Sequence, residues 1–207
     1  ADLASRSEEW LRLSHDAARC YHPAQARQPH VRGNTSSSAR TGITIAILAS
    51  RPDLVRASLE TWAPHLQRDW KLELVMNSRH YIAQRDVWES LSLPIHTYTT
   101  SAGKKPYHQA AEVFLAAVRS AATTAKERTG AAWFMVMDDD TAMNPYQVQQ
   151  MLGKQSMERP VILGHIGPGC MPVCGGPGVI FNHAALSSID AECIDACRKD
   201  MKYGDVG

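Results

Sequence analysis

Five apolar residues, Trp133-Phe134-Met135-Val136-Met137, run directly into Asp138-Asp139-Asp140, and Asn144-Pro145 follows shortly after. A short unbroken apolar run of this kind suits a strand buried on both faces. Three like charges at its end repel one another, and desolvating them without partners costs on the order of several kcal/mol. Positive charge is therefore needed at the end of a central strand. A hard divalent cation, held by carboxylate oxygen and bridging a diphosphate, answers that need, and Mn²⁺ or Mg²⁺ suits such ligands. The plainer alternative is that the trio caps the helix opened by Asn144-Pro145, although one aspartate would suffice for that.

The rest of the chain explains why such a strand would be central. From Ile43 onward, apolar runs alternate with helical periods. "ITIAILAS" is a β-branched strand, and Ser50, Pro52 and Asp53 read as the start of a helix carrying Leu54, Val55, Leu59 and Trp62. "KLELVMN" is a second strand and "HYIAQRDVWESL" a second helix; "IHTYTT" is a third strand. A long helix spans Pro106 to Arg128, with Ala110, Val113, Phe114, Ala117 and Val118 on its inner face. Strands alternating with helices predict an α/β fold, a mostly parallel sheet with helices on both sides. In such sheets, ligands sit at the carboxyl ends of the strands, where the aspartates fall.

Ahead of this unit, Ser7 to Tyr21 has helical periodicity, and His22 to Gly42 is rich in Pro, Gly, Ser, Arg and Asn. The expected organisation is an N-terminal helix and flexible linker over 1–42, then an α/β domain over 43–207, which the resemblance named below makes the catalytic domain. With 22 basic against 21 acidic residues, the net charge of +1 offers no general field for nucleic acid or an anionic membrane. The sequence contains no run of ~20 apolar residues and no signal pattern at its start; a membrane anchor would lie outside the sequence given. Cys170, Cys174, Cys193 and Cys197 form two Cys-x-x-x-Cys pairs, with Cys20 apart. That spacing is looser than a zinc knuckle and favours disulfides in an oxidising lumen, with connectivity open and one cysteine left over. Asn34-Thr35-Ser36 is a glycosylation sequon, which agrees with a secretory compartment.

An aromatic pair, a strand and Asp-Asp-Asp together resemble the DxD motif of GT-A glycosyltransferases, specifically the fringe-like β-1,3-glycosyltransferases of glycosyltransferase family 31. Three further segments follow in the family's order: "RPVILGHIG" (Arg159 to Gly167), the glycine-rich "VCGGPGVIFN" (Val173 to Asn182) and "YGDVG" (Tyr203 to Gly207), which is similar to an acidic motif at the start of a helix. The resemblance covers Ile43 to Gly207. It implies a GT-A-type, Rossmann-like fold and an inverting, metal-dependent transfer of a sugar from a UDP-sugar donor to a hydroxyl of a glycan or glycoprotein acceptor, in the Golgi or ER lumen or outside the cell. By the same resemblance, Asp140 is the metal ligand, Asp138 and Asp139 contact the donor, and Gly175 and Gly176 let backbone approach its sugar. Ser50 and Arg51 lie near the nucleotide, and Asp205 is the base that takes the acceptor proton. Lys104, Lys105 and His108 could face the diphosphate or merely solvent, and single basic residues in such a loop are usually solvated.

The family's further histidine ligand has no counterpart at the matching position; His165 and His183 stand elsewhere. A catalytically inactive nucleotide-sugar binder or scaffold of the same fold is therefore an alternative expectation. A haloacid-dehalogenase-type phosphohydrolase is a weaker one: its Asp-x-Asp carries a hydroxyl residue one position later than Thr141, and normally opens its domain.

Overall fold

The computed structural model describes residues 42–101, 106–127, 132–165, 174–190, 192 and 194. The expected N-terminal helix and linker with its sequon, Lys104, Lys105, Asp205, Cys20, Cys170, Cys193 and Cys197 lie outside the described residues, and Cys174 is described by its backbone.

Six strands, β1 (Gly42–Leu48), β2 (Lys71–Asn77), β3 (Ile95–Tyr98), β4 (Ala132–Asp138), β5 (Ile162–His165) and β6 (Cys174–Asn182), form one sheet in the order β3-β2-β1-β4-β6-β5. The pairings β1–β2, β1–β4 and β2–β3 are parallel, whereas β6 runs antiparallel to both neighbours. The architecture is thus the expected α/β, mostly parallel sheet of Rossmann-like type. The aspartates end a strand with partners on both sides, and Trp133 to Met137 are all buried. Short β3 and β5 occupy the edges, which limits the unpaired backbone available for edge-to-edge association.

The two-residue period of the strands divides the core between the faces. On one face Ile43, Ile45, Ile47, Leu74, Met135 and Met137 pack with Val55 of α1 (Pro52–Thr61) and with Trp62 just beyond it. Trp88 of α3 (Arg85–Glu89) and Leu152 of α5 (Pro145–Leu152) complete that layer. On the other face Ala46, Val75, Phe134 and Val136 pack with Val113, Ala117 and Val118 of α4 (Pro106–Glu127) and Leu186 of α6 (His183–Ser188). Each fully buried large apolar side chain contributes about 1.5–3 kcal/mol. Truncating Leu74, a fully buried residue of β2, would cost about 2–5 kcal/mol.

The second helix differs from its expected course. Apolar spacing predicts one continuous helix, but the chain forms α2 (Ser78–Ala83) and α3, broken at Gln84 with φ −140°. Asn77 caps α2 by accepting from the Arg79 amide. The break leaves Ile82 exposed and turns Trp88 into the core, where its indole N–H donates to the His80 carbonyl. Hydrophobic spacing alone could not reveal that redirection.

Candidate functional site

The parallel strands β1, β2 and β4 end on one edge of the sheet. There the Thr141 amide bonds to the Asp138 carbonyl at 3.2 Å, closing a turn with Asp139 and Asp140 at its corners. The three carboxylates leave that turn in different environments.

Asp139 is buried, and its carboxylate is saturated. Oδ2 accepts from the Ser50 amide at 2.8 Å, the Ser50 hydroxyl at 2.9 Å and the Arg51 amide at 2.8 Å, while Oδ1 accepts from Arg51 Nη2 at 3.1 Å. These donors stand immediately before α1, where the positive end of the helix dipole adds to the attraction. The middle aspartate therefore ties the end of β4 to the β1–α1 turn. Ser50 is not the helix cap its position allows: Arg51 holds the cap position, without a side-chain capping bond, and the Ser50 hydroxyl is directed to Asp139. The capping-only reading of the trio also fails. Asn144 caps α5, its side-chain oxygen accepting from the amides of Tyr146 and Gln147.

Asp140 is exposed and accepts from Arg51 Nη2 at 3.1 Å, so one guanidinium nitrogen bridges two carboxylates. The hydrogen bond to Asp139, reinforced by the charges of both aspartates, raises the Arg51 pKa above an already high value; it carries its positive charge at any physiological pH. Asp138 is the contrasting case. Half-buried at the end of β4, its carboxylate has neither a hydrogen bond nor an ion pair with any described residue. Burial raises its pKa, the charges of Asp140 and Asp139 raise it further, and Arg51 pulls it back.

All three aspartates, with Ser50 and Arg51, line a cleft of about 280 Å³ between the strand ends and α4. Leu48, Val75 and Val113 give it an apolar floor, and Asn77, His80 and Gln109 supply further polar groups. The Asn77 amide donates to Thr100 at 2.6 Å and to Gln109 at 3.0 Å, which holds the wall in place. The motifs did not point to these three residues. Asn77 could have been found as the polar residue closing "KLELVMN" at a carboxyl end, but His80 and Gln109 reach the cleft from helices and carry no such mark.

Gly175 and Gly176 occupy the start of β6, which lies toward the same edge because β6 is antiparallel to β4. Between Gly164↔Val179 and His165↔Cys174, a single step along β5 faces five along β6, so the glycine-rich run forms a wide bulge. Gly178 in this bulge has φ +102°, and a Cβ there would stand 2.6 Å from the end of the Met135 side chain. The positive φ is what favours glycine here, because the flexible end of Met135 can shift aside. His183 opens α6 after Asn182, which pairs with Trp133, and so lies at the opposite edge from the aspartates.

The donor chemistry fits a divalent cation shared with a diphosphate better than one caged by protein. Among the described residues there is no cluster of three or more His, Cys, Asp or Glu arranged to hold a metal. Mg²⁺-type ions are commonly bound through one or two carboxylates, with phosphate and water completing the shell. Asp140 and Asp138 can provide that minimum, whereas Asp139 is committed to Ser50 and Arg51. Among the described residues, no helix is long and apolar enough to cross a membrane.

A family model described as Fringe-like matches residues 78–169. The matched span runs from α2 through β5 and includes all three aspartates. No curated protein matches the chain. The fringe-like resemblance carried by the DxD motif thus holds over this segment, and the activity that the family suggests is glycosyl transfer.

Proposed function

We propose that this chain, Fringe-like over residues 78–169, is an inverting, metal-dependent glycosyltransferase that uses a UDP-sugar and delivers the sugar to a hydroxyl of a glycan or glycoprotein. The observation that carries the reading is the unequal acidic turn at the end of β4, which faces the cleft with one carboxylate unpartnered among the described residues and one exposed. Asp140 would hold Mn²⁺ or Mg²⁺ with Asp138 beside it. Bound there, the cation would offset the negative charge developing on the departing UDP.

The chain's own residues would divide the remaining work. Asp138 and Asp139 border the donor, with Asp139 acting chiefly through the position it imposes on Ser50 and Arg51. The guanidinium of Arg51 suits a phosphate oxygen. Gly175 and Gly176, in the bulge, would leave backbone open to the donor sugar. Asp205 would take the proton of the attacking hydroxyl as the bond to UDP breaks, on the face of the sugar opposite the leaving group. The secretory lumen is the compartment that agrees with this chemistry, the sequon and the cysteines.

A Mn²⁺-dependent UDP-sugar hydrolysis assay tests the assignment. Asp140→Ala should lose metal-dependent donor binding, whereas Asp205→Asn should retain donor binding and lose turnover. Normal turnover by Asp205→Asn would remove the base assignment. Metal-dependent binding without turnover in the wild type would favour an inactive nucleotide-sugar binder.

A further inference from the structure

Arg51 stands where a cation bound to Asp140 would meet it. Its Nη2 lies 3.1 Å from Asp139 Oδ1 and 3.1 Å from Asp140 Oδ2. The two contacts are unlike in what would remain after they broke. Asp139, with 4% of its side chain exposed, would keep three donors from Ser50 and the Arg51 amide; Asp140, 61% exposed, has no other partner among the described residues. Arg51 itself is 53% exposed on a long flexible stem, so the guanidinium can leave Asp140 without disturbing the turn that its own backbone amide helps to pin. A divalent ion on Asp140 would be repelled by a guanidinium left in place. The diphosphate that accompanies such an ion offers that same guanidinium a better-matched, bidentate partner.

We infer that Arg51 is an exchangeable counter-ion: it pairs with Asp140, opposes uptake of metal alone, and moves to the diphosphate when metal and nucleotide arrive together. Metal binding is thereby made conditional on the nucleotide. The inference rests on the metal–nucleotide reading of this site and adds an order of binding to it. By reciprocity, the factor by which UDP tightens metal binding equals the factor by which metal tightens UDP binding, and Arg51 contributes to both.

The test is Mn²⁺ titration of the intact chain, followed by the electron paramagnetic resonance of free Mn²⁺, with and without saturating UDP. Arg51→Met should bind Mn²⁺ alone about tenfold more tightly than wild type, because a unit of repelling charge is gone. UDP should then enhance Mn²⁺ binding less than it does in wild type. Arg51→Lys, which keeps the charge, should stay near wild type for Mn²⁺ alone. If Arg51→Met does not fold, Arg51→Gln is read by the same criteria. Unchanged, weaker or undetectable Mn²⁺ binding by the neutral variant without UDP would overturn the inference. Asp140→Ala separates the two levels. If it takes up Mn²⁺ and UDP as wild type does, the site reading itself fails; if it loses uptake while Arg51→Met matches wild type, only the counter-ion role falls.

Discussion

The carboxyl ends of β4 and β6 lie at opposite edges of one sheet, and both place polar side chains where solvent is largely excluded. At the end of β6, Asn182 is fully buried and uses its whole capacity. Its oxygen accepts from the amides of Val161 and Ala185, and its amide donates to the carbonyls of Ser156 and Arg159. At the end of β4 the satisfaction is uneven: among the described residues Asp139 is saturated, Asp140 has one partner, and the Asp138 carboxylate has none. The saturated groups account for the fold, because each holds separate segments together. Of the others, Asp138 costs stability when charged, and both it and Asp140 face a cleft.

That contrast can be broken by mutation, and the largest effect is expected at Asn182. Asn182→Ala would strip the α6 cap and leave two amides and two carbonyls without their partner. A loss of about 3–5 kcal/mol follows, read as a fall in Tm on the order of 10 °C. A fall of only a degree or two would mean that water replaces the side chain and that the edge is less closed than its geometry implies. Asp139→Ala comes next, at about 2–4 kcal/mol, because the Ser50 and Arg51 amides lose a charged acceptor. Asp140→Ala should change stability by less than about 1 kcal/mol, as an exposed ion pair does. Equal losses from these two substitutions would erase the distinction between them.

The smallest effect is expected at Asp138, and it has the opposite sign. Its folded-state pKa is raised chiefly by burial, so the native protein holds this proton more tightly than the unfolded chain. Stability from this group is greatest below the ordinary aspartate pKa and is lost as pH rises through the folded value. At neutral pH the charged Asp138 is a burden. Asp138→Asn should therefore raise Tm at pH 7, with the gain shrinking toward zero as the solution is acidified. A gain that did not vary with pH would show that charge is not its cause.

Much of this was legible in the chain. The apolar run from Trp133 to Met137 marks a buried strand, and its three aspartates mark the strand end that borders the candidate cleft, because both signals are local. The inequality of the aspartates was hidden. Asp139 meets Ser50 across 89 residues of sequence, and no short pattern encodes which of three adjacent carboxylates will find donors so far away. The antiparallel direction of β6 was equally unreadable, since alternation of apolar residues is the same in either direction. The place of Ser50 between a strand and Pro52 fits both a nucleotide contact and a helix cap, and the bond to Asp139 depends on how β1 and β4 pair.

On the proposed reading, the turn at Asp138–Asp140 receives a divalent cation together with a uridine diphosphate. Calorimetric titration of UDP into the intact chain, with and without Mn²⁺, addresses it directly, using Asp140→Ala as the reference. UDP binding should require Mn²⁺ and fall by tenfold or more, about 1.4 kcal/mol or greater, in the variant. Binding of equal strength without the metal, or unchanged in the variant, would contradict it.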